Sequence, residues 1–378
     1  MPVMESPPAI LDALAAAATS AGAACALLVS LLAGATIYCW RGALAMALDP
    51  ANAGPQKFHA APVPRIGGVP IYLAFFSAAL FAPAPVRPWL VALAAAAAPA
   101  FLGGLAEDLT KRVSPASRLV TAFVAAALGF VLLDARVTDV ELPGAELLLR
   151  IAIPSFFVTL LAVGGFSHAL NIVDGFNGLA GMVALLMLAS LATVAAQVGD
   201  AHVLSAAVLA GAAVLGFLAW NFPRGLIFAG DGGAYLLGFL IAELAILLAH
   251  RNPEVSAWYP ATLLLYPVVE TAFSIYRKKF LRGQSPAEPD GVHLHMLVYK
   301  RLVRRFGAGE PGWKRNCLTT PYLVGMAALS ILPATVLWND TAWLELVAAG
   351  FTALYLWLYW RIVRFRAPRL LVLRRRHA

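Results

Sequence analysis

Apolar stretches of about 20 residues, the length a helix needs to cross bilayer hydrocarbon, recur from residue 13 to residue 360 and are parted by short polar clusters. The pattern predicts eleven spans, over residues 18–40, 68–83, 88–106, 118–133, 150–167, 177–198, 202–221, 233–250, 257–276, 319–338 and 342–360. The second is short. The third carries Pro99 in an Ala-rich run, which lipid-embedded helices tolerate when their neighbours satisfy the freed carbonyl. The spans are nearly continuous and leave no room for a sizeable soluble domain. The expectation is an all-α polytopic helical bundle of about eleven transmembrane helices, one domain over residues 1–378. The long connection 277–318 and the basic tail 361–378 are its main excursions.

Composition sharpens this. Of the 378 residues, 61% are hydrophobic and 13% charged, a balance foreign to soluble globular domains. The opening "MPVMESPPAILD" has two acids and no Lys or Arg, so the basic start of a cleavable signal peptide is missing and the first helix is expected to be retained. The net charge of +8 raises nucleic acid as a partner, but the placement of the charges answers differently. Numbering the connections by parity puts only Arg87, Arg136, Arg150 and Arg251 on the side of the N-terminus and leaves 24 of the 28 basic residues on the other. By the positive-inside rule the N-terminus is outside and the C-terminus cytoplasmic. No nucleic-acid partner is expected. The tail "RIVRFRAPRLLVLRRRHA" is a stop-transfer anchor or an amphipathic segment on anionic headgroups, so membrane lipids are partners. Cys25, Cys39 and Cys317 suggest neither a metal knuckle nor a disulfide framework.

Five polar clusters stand out: "HAAPVPRIGG" (59–68), "GLAEDLTKR" (104–112), "NIVDGFNGLAG" (171–181), "FAGDGG" (228–233) and "SPAEPDGVHLHM" (285–296). All five fall on the basic side, which predicts one cytoplasmic site assembled from distant loops. Glu107, Asp108, Asp174 and Asp231 offer hard oxygen ligands, and one or two carboxylates plus substrate phosphates is the usual way magnesium is held. Arg65, Lys111, His293 and His295 offer donors to phosphate oxygens. Glycines beside Asp174 and Asp231 let the backbone approach a ligand. Acid, base and glycine on one face point to a magnesium-bridged diphosphate, with manganese as the substitute ion. Plainer readings exist for each: a helix-surface pair for Glu107 and Lys111, a helix cap for Asp231, turn chemistry for Asp174, and solvated residues for the two histidines. Glu243 and Glu270 lie inside spans and are costly there unless paired or facing a cavity. They support an alternative, a secondary transporter with intramembrane coupling carboxylates. For Glu243 a structural hydrogen bond is expected.

The ordered series of motifs over residues 59–296 resembles the polyprenyl-phosphate N-acetylhexosamine-1-phosphate transferases. The acidic pair of that family looks like Glu107 and Asp108, with Glu in place of the usual first Asp, followed by Lys111. Its Asn and Asp-Gly motif is similar to Asn171, Asp174 and Gly175, with Asn177 where a second Asp is common. Its "FxGDxG" resembles Phe228 and Asp231, which implies uracil stacking for the first and metal binding for the second. Asp290, His293 and His295 match an Asp-Arg-x-His-x-His-His signature in which Gly291 replaces the arginine and Met296 the last histidine. Three consecutive histidines are absent, which favours the GlcNAc-type branch or its relatives that make O-antigen-like glycans.

The resemblance implies phosphoryl transfer from a UDP-N-acetylhexosamine to undecaprenyl phosphate at the cytoplasmic face of a bacterial inner membrane. Glu107, Asp108 and Asp231 are the expected catalytic residues, and Arg65, Lys111, Asn171, Asp174, Phe228, His293 and His295 the expected substrate-binding ones. Which sugar is used is left open, and so is oligomeric state, a homodimer included.

Overall fold

The computed structural model describes residues 21–49, 62–285, 291–303 and 311–366. The helices, in chain order, are α1 (Ala21–Cys39), α2 (Gly68–Phe81), α3 (Arg87–Thr110), α4 (Pro115–Leu133), α5 (Ala145–Leu149), α6 (Ala152–Val173), α7 (Leu179–Gln197) and α8 (Ala201–Asn221). They continue with α9 (Gly230–Arg251), α10 (Trp258–Leu263), α11 (Leu265–Tyr276), α12 (Leu294–Val298), α13 (Gly312–Cys317), α14 (Thr320–Val336) and α15 (Thr341–Val363). Wider, π-type turns continue α11 over Arg277–Leu281 and α12 over Tyr299–Val303. Among the described residues nine helical stretches are long and apolar enough to cross a membrane, with α13 and α14 counted as one. The chain is a helical, multi-pass membrane protein.

Two expected spans are shorter than the hydropathy suggests. The stretch 68–83 forms α2, of only 14 residues. The stretch 257–276 breaks at Leu264 into α10 and α11. Pro267 lies in the first turn of α11, where its missing N–H is tolerated; its ring would clash with the carbonyl four residues back in a continuous helix. Local signals set other boundaries. Ser114 caps α4 by accepting from Ser117 N at 3.1 Å, with Pro115 as first helical residue. Asp200 caps α8 through the N–H groups of His202 and Val203, and Asp340 caps α15 through Trp343 N.

The centre of the bundle is α9. Its residues from Gly230 to Leu248 are all buried, as expected of a helix that is apolar all round. Lipid tails are as apolar as leucine, so close backbone approach is what holds such helices together. A Cβ at Gly238 would run into the backbone of Ser167 on α6, and one at Gly104 into that of Asp231. Glu243 is sealed in this interior against Gly129 of α4, and neither carboxyl oxygen has a hydrogen-bond partner among the described residues. The structural hydrogen bond expected for it is not there.

One small backbone assembly decides where the site forms. Leu48–Asp49 pairs antiparallel with Val63–Pro64. The same strand then runs against the loop before α9: Phe228 N donates to Pro64 O at 2.8 Å, Gly67 N to Phe228 O at 2.8 Å and Gly68 N to Ala229 O at 2.9 Å. Arg65 is thereby fixed beside Asp231, 166 residues further along the chain.

Candidate active site

The loops at this end of the bundle enclose a polar cavity of about 370 Å³. It gathers most of the residues singled out from the sequence: Arg65, Glu107, Asn171, Asp174, Phe228, Asp231, His293 and His295 all line it. Asp108 and Lys111 do not. Asp290 and His59 lie outside the described residues, as does the tail beyond Arg366.

Asp108 sits behind the wall, fully buried. Its Oδ1 accepts from Asp231 N at 3.0 Å and its Oδ2 from Gly232 N at 2.9 Å, so a carboxylate on α3 caps the N-terminus of α9. The first N–H groups of a helix have no internal partner, and a negative charge there is also favoured by the helix dipole. The helix cap that the plainer reading assigned to Asp231 is thus made by Asp108, which leaves the Asp231 side chain at the cavity. Gly230, just before it, has φ +69 and no room for a Cβ beside Arg65 O and Asp108. Asp108→Ala strands two buried N–H groups and is expected to destabilise the protein by about 2 kcal/mol or more, read from denaturation in detergent.

Lys111 ends α3 in the left-handed conformation at φ 56, and its Nζ donates to Asp108 O at 2.9 Å. Glu107 accepts from Val113 N at 2.7 Å. Together they turn the chain from α3 towards α4 and deliver Arg118.

Arg118 is the residue that sequence reasoning passed over. It pairs directly with Asp231, while Arg65 lies 3.3 Å from the same carboxylate and 3.6 Å from Asp108. Its guanidinium also lies 5.9 Å from the ring centroid of Tyr235, whose hydroxyl accepts from Asn171 Nδ2 at 3.3 Å. The sequence did hold a signal for it: a cation in the first turn of α4 opposes that helix's dipole and calls for an anion from elsewhere.

Asp174, at the end of α6, is half-buried. Its enclosure pushes the carboxyl up to about 6, while Arg65 pulls it the other way.

The histidines enter from α12. Their rings stack at 5.2 Å, nearly parallel. Glu270, buried in α11, accepts from His293 Nδ1 at 3.1 Å and from Leu294 N at 2.8 Å. A carboxylate acceptor places the proton on Nδ1 and fixes the orientation of the ring. Glu270, a coupling group in the transporter alternative, is here a support for His293. Arg277 and Tyr359 add to this support by donating to Val292 O, each at 3.1 Å.

A third group consists of amides. Asn221 accepts from Gly178 N at 2.6 Å and Asn316 from Asn177 N at 2.7 Å, and all three asparagines line the cavity. Nothing in the pattern of the chain points to Asn316, which follows a basic run far from every motif. The arrangement can offer two guanidiniums and two histidines to the oxygens of an anionic ligand, with the half-buried ring of Phe228 and neutral amides beside them.

Fold and site define a membrane-embedded enzyme. Residues 90–249 match the sequence model of glycosyl transferase family 4, and the chain belongs to that family. It is 30% identical over 294 residues to the decaprenyl-phosphate N-acetylglucosaminephosphotransferase of Mycobacterium leprae, covering 67% of this chain and 71% of that protein. It is 27% identical over 295 residues to the probable undecaprenyl-phosphate N-acetylglucosaminyl 1-phosphate transferase of Bacillus subtilis, covering 77% and 78%. To the undecaprenyl-phosphate alpha-N-acetylglucosaminyl 1-phosphate transferase of Thermotoga maritima it is 27% identical over 248 residues, covering 65% and 72%.

Proposed function

We propose that the protein transfers N-acetylhexosamine 1-phosphate from a UDP-sugar to undecaprenyl phosphate at the cytoplasmic face of a bacterial inner membrane, releasing UMP. The product would start a cell-envelope polysaccharide such as an O-antigen. One observation carries the reading: Arg65 and Arg118 converge on Asp231 at the start of α9, inside a cavity that also holds Phe228 and the paired histidines. The names of the relatives, each a polyprenyl-phosphate sugar-phosphate transferase, support the lipid acceptor and the N-acetylglucosamine-type donor. The basic bias of the loops supports the cytoplasmic placement.

In this reaction a phosphate oxygen of the lipid forms a bond to the β phosphorus of the donor, and the bond from that phosphorus to the bridging oxygen breaks. The leaving group is UMP. The attacking phosphate is already largely ionised at neutral pH, so no strong base is required, and catalysis rests on positioning and charge neutralisation. Arg65 and Arg118 hold the diphosphate oxygens. His293, oriented by Glu270, and His295 hold the remainder. Phe228 offers its face to the uracil, with Asn171 and Asp174 beside it, while Glu107 orients the attacking phosphate.

Among the described residues no three His, Cys, Asp or Glu converge as a protein-only metal site. Magnesium needs only one or two carboxylates when substrate phosphates and water complete its shell. Asp231, with Asp174 lining the same cavity, fits that requirement and would hold it. When bound, the ion supplies charge neutralisation on the diphosphate.

The test uses detergent-solubilised protein, UDP-GlcNAc and related UDP-sugars, and undecaprenyl phosphate, with UMP as readout. Lipid-dependent UMP release that EDTA stops and magnesium restores is expected. Absence of UMP with every donor would remove the proposal, and release indifferent to EDTA would remove the metal.

A further inference from the structure

Asn316, near the end of α13, is 5% exposed, and what it exposes lines the cavity. Its Oδ1 is committed to Asn177 N at 2.7 Å. Its Nδ2 makes no hydrogen bond among the described residues, yet it is not one of the sealed polar atoms. The amino group therefore keeps some accessible surface, in a residue that lines the cavity, and gives neither hydrogen to a described residue. An inward-facing amide donor that is nearly out of water is costly to leave unmatched and strongly favours a ligand that supplies an acceptor.

The neighbouring amide does not do this work. Asn177 Nδ2 donates to Pro223 O at 3.0 Å, and its backbone carbonyl accepts from Thr320 Oγ1 at 2.6 Å. An ionised Asp at this position would have no hydrogen for Pro223 O. Asn177 is a latch between the end of α6, the turn after α8 and the start of α14. Asn221 is likewise occupied, donating to Ile227 O at 2.8 Å. Of the three amides, Asn316 is the one whose donor is left for a ligand. The side-chain contact of Asn316 is with Asn177, itself bonded to Pro223 O, whereas Arg65 and Arg118 are gathered on Asp231. A neutral donor among neutral amides suits a carbonyl oxygen.

We propose that Asn316 is a specificity-determining residue whose amino group donates to a carbonyl oxygen of the sugar-nucleotide donor. The proposal rests on the UDP-sugar reading above. Two carbonyl sources share this chemistry, the pyrimidine ring and the sugar's acetamido group, and the experiment separates them.

Asn316→Asp keeps the oxygen that Asn177 N needs and removes the amino group; Asn316→Ala removes both. Dissociation constants for UDP-GlcNAc, UMP and inorganic pyrophosphate are measured by calorimetry on the full-length solubilised protein, with melting temperatures alongside. Both variants are expected to bind UDP-GlcNAc about tenfold or more weakly. Asn316→Asp is expected to melt with the wild type. Weakened UMP binding identifies the ring carbonyl, and UMP binding unchanged identifies the acetamido carbonyl. Pyrophosphate has no carbonyl and serves as the control for the added charge. UDP-GlcNAc affinity within twofold of wild type in either variant, or an equal loss for pyrophosphate in Asn316→Asp, would overturn the proposal. A wild type that binds UDP-GlcNAc while Asn316→Asp binds it equally well discards Asn316 and leaves the transferase reading intact. A wild type that binds no UDP-sugar discards both.

Discussion

Asp231→Asn is expected to lower the rate of UMP release by at least about 100-fold, the scale on which removal of one preorganised electrostatic group acts. The side chain is isosteric, and the cap of α9 belongs to Asp108, so the fold has little reason to change. The charge is another matter. Asp231 faces both Arg65 and Arg118, and before the donor arrives it is the counter-charge that holds them in the cavity. On the proposed reading a diphosphate would bring its own negative charge and take over the guanidiniums, and the Asp231 carboxylate would then be available to a cation. Asparagine leaves the arginines intact for the phosphates but offers no anion in return. Donor affinity should therefore hold or rise while turnover falls, a split between KM and kcat that a misfolded variant would not show. Near-normal UMP release, with melting temperature unchanged, would remove Asp231 from the reaction.

How much of this could be read from the sequence depends on which force placed each residue. Lipid leaves the backbone no partners but its own, so apolar length translates into helices almost without ambiguity. The exceptions are local. A hydropathy window averages across Pro267 and sees one span where α10 and α11 are two, and it extends α2 into the turn beyond Phe81. Convergence of the polar loops was legible too, because each lies at a helix end on the same side. What the sequence does not separate is the duty of two aspartates with similar surroundings. Asp108 and Asp231 both lie at helix ends near glycine, and only the packing of α3 against α9 turns the first inward as a cap and the second outward as a ligand. Glu270 and Arg277 are close in sequence, but Glu270 binds the HxH turn and Arg277 the carbonyl of Val292 in that same turn. Side-chain direction across a loop is a tertiary fact. Asn316 lies further still from any pattern, since its role depends on the return of the chain from α13 to the end of α6.

Arg118→Ala is expected to weaken UDP-sugar binding by roughly 30-fold or more, the lower end of what truncating one partner of a buried, hydrogen-bonded charge pair costs. The loss has two origins. The donor forfeits a planar fork of N–H groups matched to phosphate oxygens, and Asp231 is left against Arg65 alone, with more net negative charge facing the incoming diphosphate. Arg118→Lys restores the charge but not the fork, so it should recover only part of the affinity. If Arg118 and Asp231 act as one exchanging pair, their effects on donor binding cannot add. Removing Asp231 as well as Arg118 takes away the repulsion that the single variant suffers, and the Asp231→Asn/Arg118→Ala protein should bind UDP-sugar more tightly than Arg118→Ala does. Calorimetric titration of the four proteins closes the cycle. Strict additivity would mean that the arginine and the aspartate contribute separately, and the exchange between them would have to be given up.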